Sequence, residues 1–372
     1  MAWPVLRRAI ELTASSQLRS TKLQFSGGEP LLARDLFIRA LHLARRLEDS
    51  ARPIDLRLMT NGLLLDDALI DVLDAFGVRV QLSFDGVEAA QGVRSPGSFR
   101  TLDQLVRRIR EQRPRLVRER LRIAATVSSG TVAHLAESIL YLVNLEVAEV
   151  SVTPVLHHDP GWTCQSTDLL DRELGTIRRW CAWSLEETGR LAFSPLRRHG
   201  NIDRPTKTAD GPVCSVPACE HLTVDVDGRL APCLLSARSY MPTPSSPLGR
   251  TLSNLNRGHI VDPWNLTTIA RFVAAARKTG LFFGRQRLGE GGRPCGDCEY
   301  RDECRICPVS IAWIPKNSDP HRVPDHICAF NRTLAAHRKL MPEAPNGLDL
   351  LRGTAPVPRA VARLLGQTNK LH

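Results

Sequence analysis

The chain has 372 residues, 42% of them hydrophobic, which allows a large core and two or three domains and excludes a disordered polypeptide. It carries no apolar run of about eighteen residues and no basic, apolar and small N-terminal order, so neither a membrane span nor an export signal is read, and a cytoplasmic protein with no membrane partner is expected. The formal charge of +11 rests on 44 arginines and six lysines, and the run from Arg107 to Arg120 is interleaved with Glu111 and Glu119; that pattern reads as a solvated helix face, and no nucleic-acid partner is expected.

Residues 3–154 alternate between helical and strand periodicities. A helix is predicted over residues 4–13, with Val5, Leu6, Ala9 and Ile10 on one face. A strand follows at Leu23 and Phe25. Next come a helix burying Leu36, Phe37, Ala40, Leu41, Ala44 and Leu47, and a strand at Ile54, Leu56 and Leu58. The third helix carries Leu69, Leu73 and Phe76 and stops at Gly77, which suits the left-handed conformation that closes a helix. Strand Val78, Val80 and Leu82 is followed by a helix around Phe99, Leu102, Val106 and Ile109, a strand over 121–127, a helix over 134–144 and a strand over 147–153.

Five strands and five helices in alternation predict a parallel sheet, either an open doubly wound sheet or a full or partial barrel, with any ligand at the carboxyl ends of the strands. A further helix is predicted over 168–187, with Trp180, Cys181 and Trp183 partly buried. Residues 205–212, where Pro, Thr, Asp and Gly cluster, read as a linker, and the Pro-, Gly-, Ala- and Arg-rich tail beyond 342 as poorly ordered.

Three polar segments fall at strand ends: Ser26-Gly27-Gly28-Glu29-Pro30, Thr60-Asn61-Gly62 and Ser83-Phe84-Asp85-Gly86. Paired glycines free the backbone to approach a ligand, and Glu29 is placed to accept bonds from an ammonium group. The cysteines are placed very differently. None of the ten lies in the first 163 residues, and eight follow the order Cys214-x4-Cys219-x13-Cys233, Cys295-x2-Cys298-x5-Cys304-x2-Cys307 and Cys328. In a chain without an export signal such thiols serve metals or catalysis rather than disulfides. Residues 222–230 alternate about an Asp227-Gly228 turn, a hairpin that brings the flanking cysteines near each other. Eight cysteines divide into two four-thiolate sites, and two chemistries fit four thiolates, structural zinc and an iron-sulfur cluster. Cys164 and Cys181 stand apart and read as inert thiols.

The run Phe25-Ser26-Gly27-Gly28-Glu29-Pro30-Leu31-Leu32, followed by Thr60-Asn61-Gly62 and Ser83-Phe84-Asp85-Gly86, resembles the barrel of radical S-adenosylmethionine enzymes in their SPASM branch, and the hairpin with its cysteine order resembles the SPASM domain. The resemblance implies an α/β fold: a partial (β/α)6-type parallel barrel lacking its first strand, then a small Cys-rich α+β iron-sulfur domain. It places the barrel in residues 1–160, a connecting helical segment in 161–210, the twin-cluster domain in 211–340 and a flexible tail in 341–372. By the same resemblance Gly27, Gly28, Glu29, Ser83, Asn61 and Asp85 contact S-adenosylmethionine, Cys214, Cys219, Cys233 and Cys307 hold one auxiliary 4Fe-4S cluster, and Cys295, Cys298, Cys304 and Cys328 hold a second.

Departures from the family pattern matter as much. The family's Cys-x3-Cys-x2-Cys loop, which holds a third 4Fe-4S cluster some tens of residues before its Gly-Gly-Glu segment, is absent, since Met1 stands only 26 residues before Gly27. The expectation is a misplaced start, with the chain as written inactive. The last gap before Cys307 is x2 where the family shows x3. Leu234 follows Cys233 where anaerobic sulfatase-maturating enzymes carry an aspartate, so modification of a ribosomally made peptide or protein side chain through a deoxyadenosyl radical is the better match. The implied partners are that peptide or protein and an electron donor such as flavodoxin or ferredoxin. The alternative is a catalytically degenerate iron-sulfur or zinc protein acting in electron transfer or peptide binding. His157, His158 and Asp159, after the last strand, are the candidate bases, and Arg94 lies where relatives carry an arginine near the cofactor; no catalytic residue is assigned.

Overall fold

The structure, a computed structural model, describes residues 1–16, 18, 21–198, 214, 216, 221–241, 244, 246–255, 258–262, 274–282, 287–301, 303–304 and 306–342. The linker read at 205–212, the tail from 343 onward and Cys219 lie outside the described residues.

Helix α1 (Trp3–Ala14) begins with a proline in its first turn, where no intrahelical amide bond is lost, and packs on α2 (Arg34–Leu47). The strands are β1 (Thr21–Phe25), β2 (Ile54–Thr60), β3 (Arg79–Ser83), β4 (Leu121–Val127) and β5 (Glu149–Pro154), all parallel and in the order β1-β2-β3-β4-β5. A doubly wound sheet reverses its strand order part-way. Sequential order winds in one direction only, so of the two topologies the periodicity allowed, the partial barrel is the one observed. Phe193 adds a parallel bridge to Val150, and the Val150 amide donates to the Ala192 carbonyl at 2.9 Å, which starts another rung beyond β5.

Helices α3 (Asp67–Ala75), α7 (Leu135–Asn144) and α8 (Cys164–Thr188) follow their strands as expected. The connection from β3 to β4 does not: it carries α4 (Glu88–Arg94), α5 (Phe99–Gln112) and α6 (Pro114–Arg120) where one helix was predicted. The seven residues of α4 are too few to show an apolar stripe, and Pro114 starts α6 at the first helical position instead of breaking a helix. Similarly, α8 begins before residue 168 because Thr163 and Ser166 bond each other's backbone in a capping box with serine at the third position.

One face of the sheet is covered by helices. Leu56, Leu58, Val80, Leu82, Ile123 and Val150 point into a core that also takes Leu41, Leu69, Val106, Ile139 and Phe193. The alternate residues of β2 to β5 are only half-buried or exposed, among them Arg57, Gln81, Ser83, Arg122, Thr126, Ser151 and Thr153. Parallel strands are ordinarily apolar on both faces. Here the second face is a polar trough, carrying the pair Arg57–Asp55 along β2 and the pair Arg122–Glu149 between β4 and β5. The arginines of α5 and α6 pair outward, Arg108 with Asp67, Arg113 with Asp71 and Arg118 with Glu146. Among the described residues no helix is long and apolar enough to cross a membrane.

The C-terminal region has little regular structure. Strands β6 (Thr223–Val224) and β7 (Leu230–Ala231) form the antiparallel hairpin, turned at Gly228 (φ +85), where an added Cβ would run into the His259 ring. Its core is small, built from Val216, Met241, Leu252, Leu281, Ile311 and Val323, with Cys214, Cys233, Cys304, Cys307 and Cys328 packed against it. The helix Asp325–Lys339 belongs to both regions: Ile327 lies in this core, while Phe330 and Leu334 lie in the core of the sheet.

Candidate functional site

Two places gather the polar and thiol side chains: the carboxyl rim of the sheet and the cysteine-rich region. At the rim, Gly27 takes φ +140, a conformation that favours glycine, and nothing lies within 4 Å of where a Cβ would stand on Gly27 or Gly28. That side of the loop is open backbone. Glu29 then turns inward. Its Oε1 accepts from the Thr60 hydroxyl at 2.9 Å and the Leu31 amide at 3.1 Å, and its Oε2 accepts from the Asn61 amide at 2.8 Å. The structure thus joins Glu29 to Asn61 across the ends of β1 and β2. The Asn61 side chain accepts from the Leu63 amide at 3.0 Å and shapes its own turn. A carboxylate has roughly four acceptor sites, so Glu29 keeps capacity for one more donor.

Ser83 ends β3, half-buried and on the trough face. Asp85 is 4% exposed and accepts from the Thr126 amide at 2.7 Å, with Arg94 Nε at 3.3 Å. Burial pushes its carboxyl pKa up despite Arg94 and that amide. Arg94 also donates to the Ala124 carbonyl and the Thr126 hydroxyl, so Asp85 and Arg94 together brace β3 against β4. Gly86 (φ +100) is needed there, because a Cβ would sit 2.5 Å from Ser138 Cβ. Asp159 holds a different loop, accepting from the Ser129 amide at 2.8 Å and hydroxyl at 2.6 Å. His157 and His158 are exposed, and His157 Nδ1 lies 3.0 Å from the His158 carbonyl. Nearby, His326 Nε2 bonds the Val155 carbonyl at 3.0 Å, a tie between the strand end and the cysteine-rich region; burial lowers this imidazole's pKa.

In the cysteine-rich region, Cys295, Cys298, Cys304 and Cys328 line one cavity of about 460 Å³ together with Arg287, Gly289, Glu290, Arg293 and Arg332. Burial pushes the Cys295 thiol up to about 11 and the Cys304 thiol up to about 12, with Cys328 and the other thiols of the cavity adding to the shift. Cys214, Cys233 and Cys307 form a second neighbourhood. Burial, with Cys233 and Cys214 adding to the shift, pushes Cys307 up to about 11. Cys233 and Cys307 occupy matching positions: each precedes a short helical turn, Leu234–Ser236 and Pro308–Ala312, whose amides donate to the sulfur, and Ser236 and Ser310 donate back to the Cys233 and Cys307 carbonyls at 2.8 and 2.6 Å. The described cysteines are all free thiols. Cys181 is fully buried, with its pKa raised by burial alone, and Cys164 is exposed.

Two residues of this cavity were not singled out from sequence. A Cβ on Gly289 would stand 2.9 Å from Cys328 Sγ and 3.8 Å from Cys295 Sγ, so only glycine admits both sulfurs. Arg287 is 2% exposed yet lines the same cavity. The run Gly289-Glu290-Gly291-Gly292 marks a turn in the sequence but gives no sign that sulfurs pass it.

The chain was compared with known proteins against this geometry, and no protein-family profile matches it. A probable GTP 3',8-cyclase of Methanopyrus kandleri is 27% identical over 238 residues, which is 62% of this chain and 71% of the relative. Among solved structures, anSMEcpe, a radical S-adenosylmethionine/SPASM anaerobic sulfatase maturase with AdoMet and a peptide named Kp18Cys bound, superposes with a TM-score of 0.66 at 16% identity, over 100% of this chain and 91% of that one. The chain has the fold of radical S-adenosylmethionine enzymes of the SPASM branch. A second structure of that fold, Streptococcus suis SuiB bound to S-adenosylmethionine, superposes with a TM-score of 0.52 at 14% identity, over 88% of this chain and 70% of SuiB. In the terms of the radical S-adenosylmethionine fold, the Glu29, Asn61 and Ser83 rim is the mouth of the barrel, and the two cysteine neighbourhoods lie in the region that follows it.

Proposed function

We propose that this chain is the barrel and auxiliary-cluster portion of a radical S-adenosylmethionine enzyme that modifies a side chain of a ribosomally made peptide or protein. The observation that carries the reading is the cavity of about 460 Å³ lined by Cys295, Cys298, Cys304 and Cys328, in a chain whose parallel barrel has an open Gly27-Gly28 rim. Four thiols lining one cavity suit a four-thiolate metal group, and the fold shared with anSMEcpe favours an iron-sulfur cluster over structural zinc in this reading.

In this reading Cys295, Cys298, Cys304 and Cys328 hold one auxiliary 4Fe-4S cluster, and Cys214, Cys233 and Cys307, with Cys219 from outside the described residues, hold the other. Such clusters supply one-electron transfer when bound. The open backbone of Gly27 and Gly28 and the remaining acceptor site of Glu29 receive the ammonium of S-adenosylmethionine, Ser83 reaches the same ligand from β3, and the polar trough beyond them takes the peptide. Asn61 and Asp85 act by fixing the loops that carry these groups. An acidic electron donor such as flavodoxin or ferredoxin suits the net charge of +11.

A second reading is favoured by one observation: none of residues 1–163 is a cysteine, so these rim loops offer no thiolate of their own, and a protein using its clusters for electron transfer or its trough for peptide binding fits too. Anaerobic reconstitution with iron and sulfide, followed by metal analysis and addition of S-adenosylmethionine with dithionite, separates the outcomes. The proposal expects about eight iron ions per chain and saturable S-adenosylmethionine binding, with release of deoxyadenosine once the radical-generating cluster is present. Iron without S-adenosylmethionine binding supports the second reading, and about two zinc ions per chain without iron overturns the cluster assignment.

A further inference from the structure

Arg287 is a buried cation on the wall of the four-cysteine cavity. It is 2% exposed, and its side chain donates to the Leu281 carbonyl while its Nε has no hydrogen-bond partner. Its own carbonyl accepts from the Cys295 amide at 2.8 Å, and the next two residues are pinned as well, Leu288 through its amide to His321 and Gly289 through its amide to Arg293. The guanidinium is therefore fixed on the wall of the four-cysteine cavity. A buried cation is strongly unfavourable unless an anion compensates it, and among the described residues no carboxylate pairs with Arg287. Cys295, Cys298, Cys304 and Cys328 share that wall with it. Arginine stays charged in proteins, so an anionic group held by these four cysteines supplies the missing counter-charge.

We propose that Arg287 is a counter-charge for the four-cysteine cavity, a positioning residue that raises the reduction potential of the auxiliary cluster held there. The inference rests on the reading of these cysteines as cluster ligands. An electron added to that cluster increases its negative charge, and a fixed buried cation on the same wall favours the reduced state; net charge and burial are among the factors that set such potentials. Because Arg287 lines this cavity, removing its charge should affect this cluster more than the one assigned to Cys214, Cys233 and Cys307.

The test uses the full chain, reconstituted anaerobically with iron and sulfide, as wild type, Arg287→Met and Arg287→Lys, with iron per chain and the reduced fraction of each auxiliary cluster read by electron paramagnetic resonance at fixed potentials. Arg287→Met should keep its iron but show a fall of roughly tenfold in the reduced-to-oxidised ratio at the cavity cluster, about 59 mV for one electron, with a smaller change at the other, and Arg287→Lys should restore most of it. Unchanged ratios in Arg287→Met, a shift at the other cluster as large as at the cavity cluster, or equal shifts in both variants would overturn the proposal. If Arg287→Met fails to load iron, loading by Arg287→Lys supports a charge role and loss of iron in both overturns it. Wild type that binds no iron sinks the cluster reading itself, an outcome distinct from failure of the Arg287 inference.

Discussion

Around the sheet, Leu56, Leu58 and Leu69 are all 0% exposed and belong to one core that continues through α8 into the helix Asp325–Lys339. Around the cysteines, the only paired strands among the described residues are two residues long each, and the small core is completed by thiols. Apolar burial at about 25 cal/mol per Å² can hold the first region by itself. The second has too little of it, even counting the neutral thiols that pack against its small core. On the proposed cluster reading this region takes its folding free energy from the metal, so the difference lies in where order comes from: solvent exclusion in one, ligation in the other.

The largest effect should come from removing one ligand of the cavity. Cys304→Ser, reconstituted beside wild type, should lose about four of about eight iron ions, because a buried hydroxyl does not replace a thiolate. Full iron content in that variant would break the assignment of Cys304. Next, iron-free protein should be cut by protease within the cysteine-rich region while residues 21–198 survive, and iron loading should suppress that cleavage; equal resistance of both regions without iron would erase the contrast.

Substitutions in the sheet should do the reverse. Leu58→Ala deletes a fully buried side chain and should lower the stability of the sheet region by about 2–5 kcal/mol in denaturant unfolding, with iron per chain unchanged. Gly86→Ala is a smaller step: φ of +100 and a contact of 2.5 Å with Ser138 Cβ should destabilise by about 1–3 kcal/mol, again without loss of iron. Iron loss in either variant would mean that the regions fold as one unit.

Much of this was legible in the sequence because period-two and period-3.6 patterns report burial directly. Strand β4 falls on residues 121–127 as read, and the hairpin around Asp227-Gly228 is present. Missed elements were those whose signal is local and short: α4 has seven residues, and α6 hides behind Pro114. The order of the strands, which decides barrel against doubly wound sheet, is a long-range property that no window of residues contains. At the site, the sequence pointed to Glu29 and to the cysteines through residue type and spacing. It gave no hint that Glu29 is bound to Thr60 and Asn61, that Asp85 points inward, or that Gly289 and Arg287 wall the cavity, since each of those facts depends on chain segments meeting in space.

The smallest expected effect is also the one that separates the two regions by their carboxylates. Burial raises the pKa of Asp85 in the sheet region against the pull of Arg94. In the hairpin, burial also opposes ionisation of Asp225, but the donors on Ser239 and Val226 outweigh it and its pKa is lowered. The signs are opposite. For Asp85 the protonated form suits the fold, so its contribution is complete below the ordinary aspartate value of about 3.9 and is lost as pH rises through the raised pKa. For Asp225 the contribution is complete above that ordinary value and is lost only as pH falls through the lowered one. Asparagine is neutral throughout. The stability lead of wild type over Asp85→Asn, followed by urea midpoints of the sheet region, should therefore be greatest in mild acid and shrink toward neutral pH. A lead that grew with pH would mean that the Arg94 pair dominates, and Asp85 would then be an ionised strut between β3 and β4 instead of a carboxyl held against its charge.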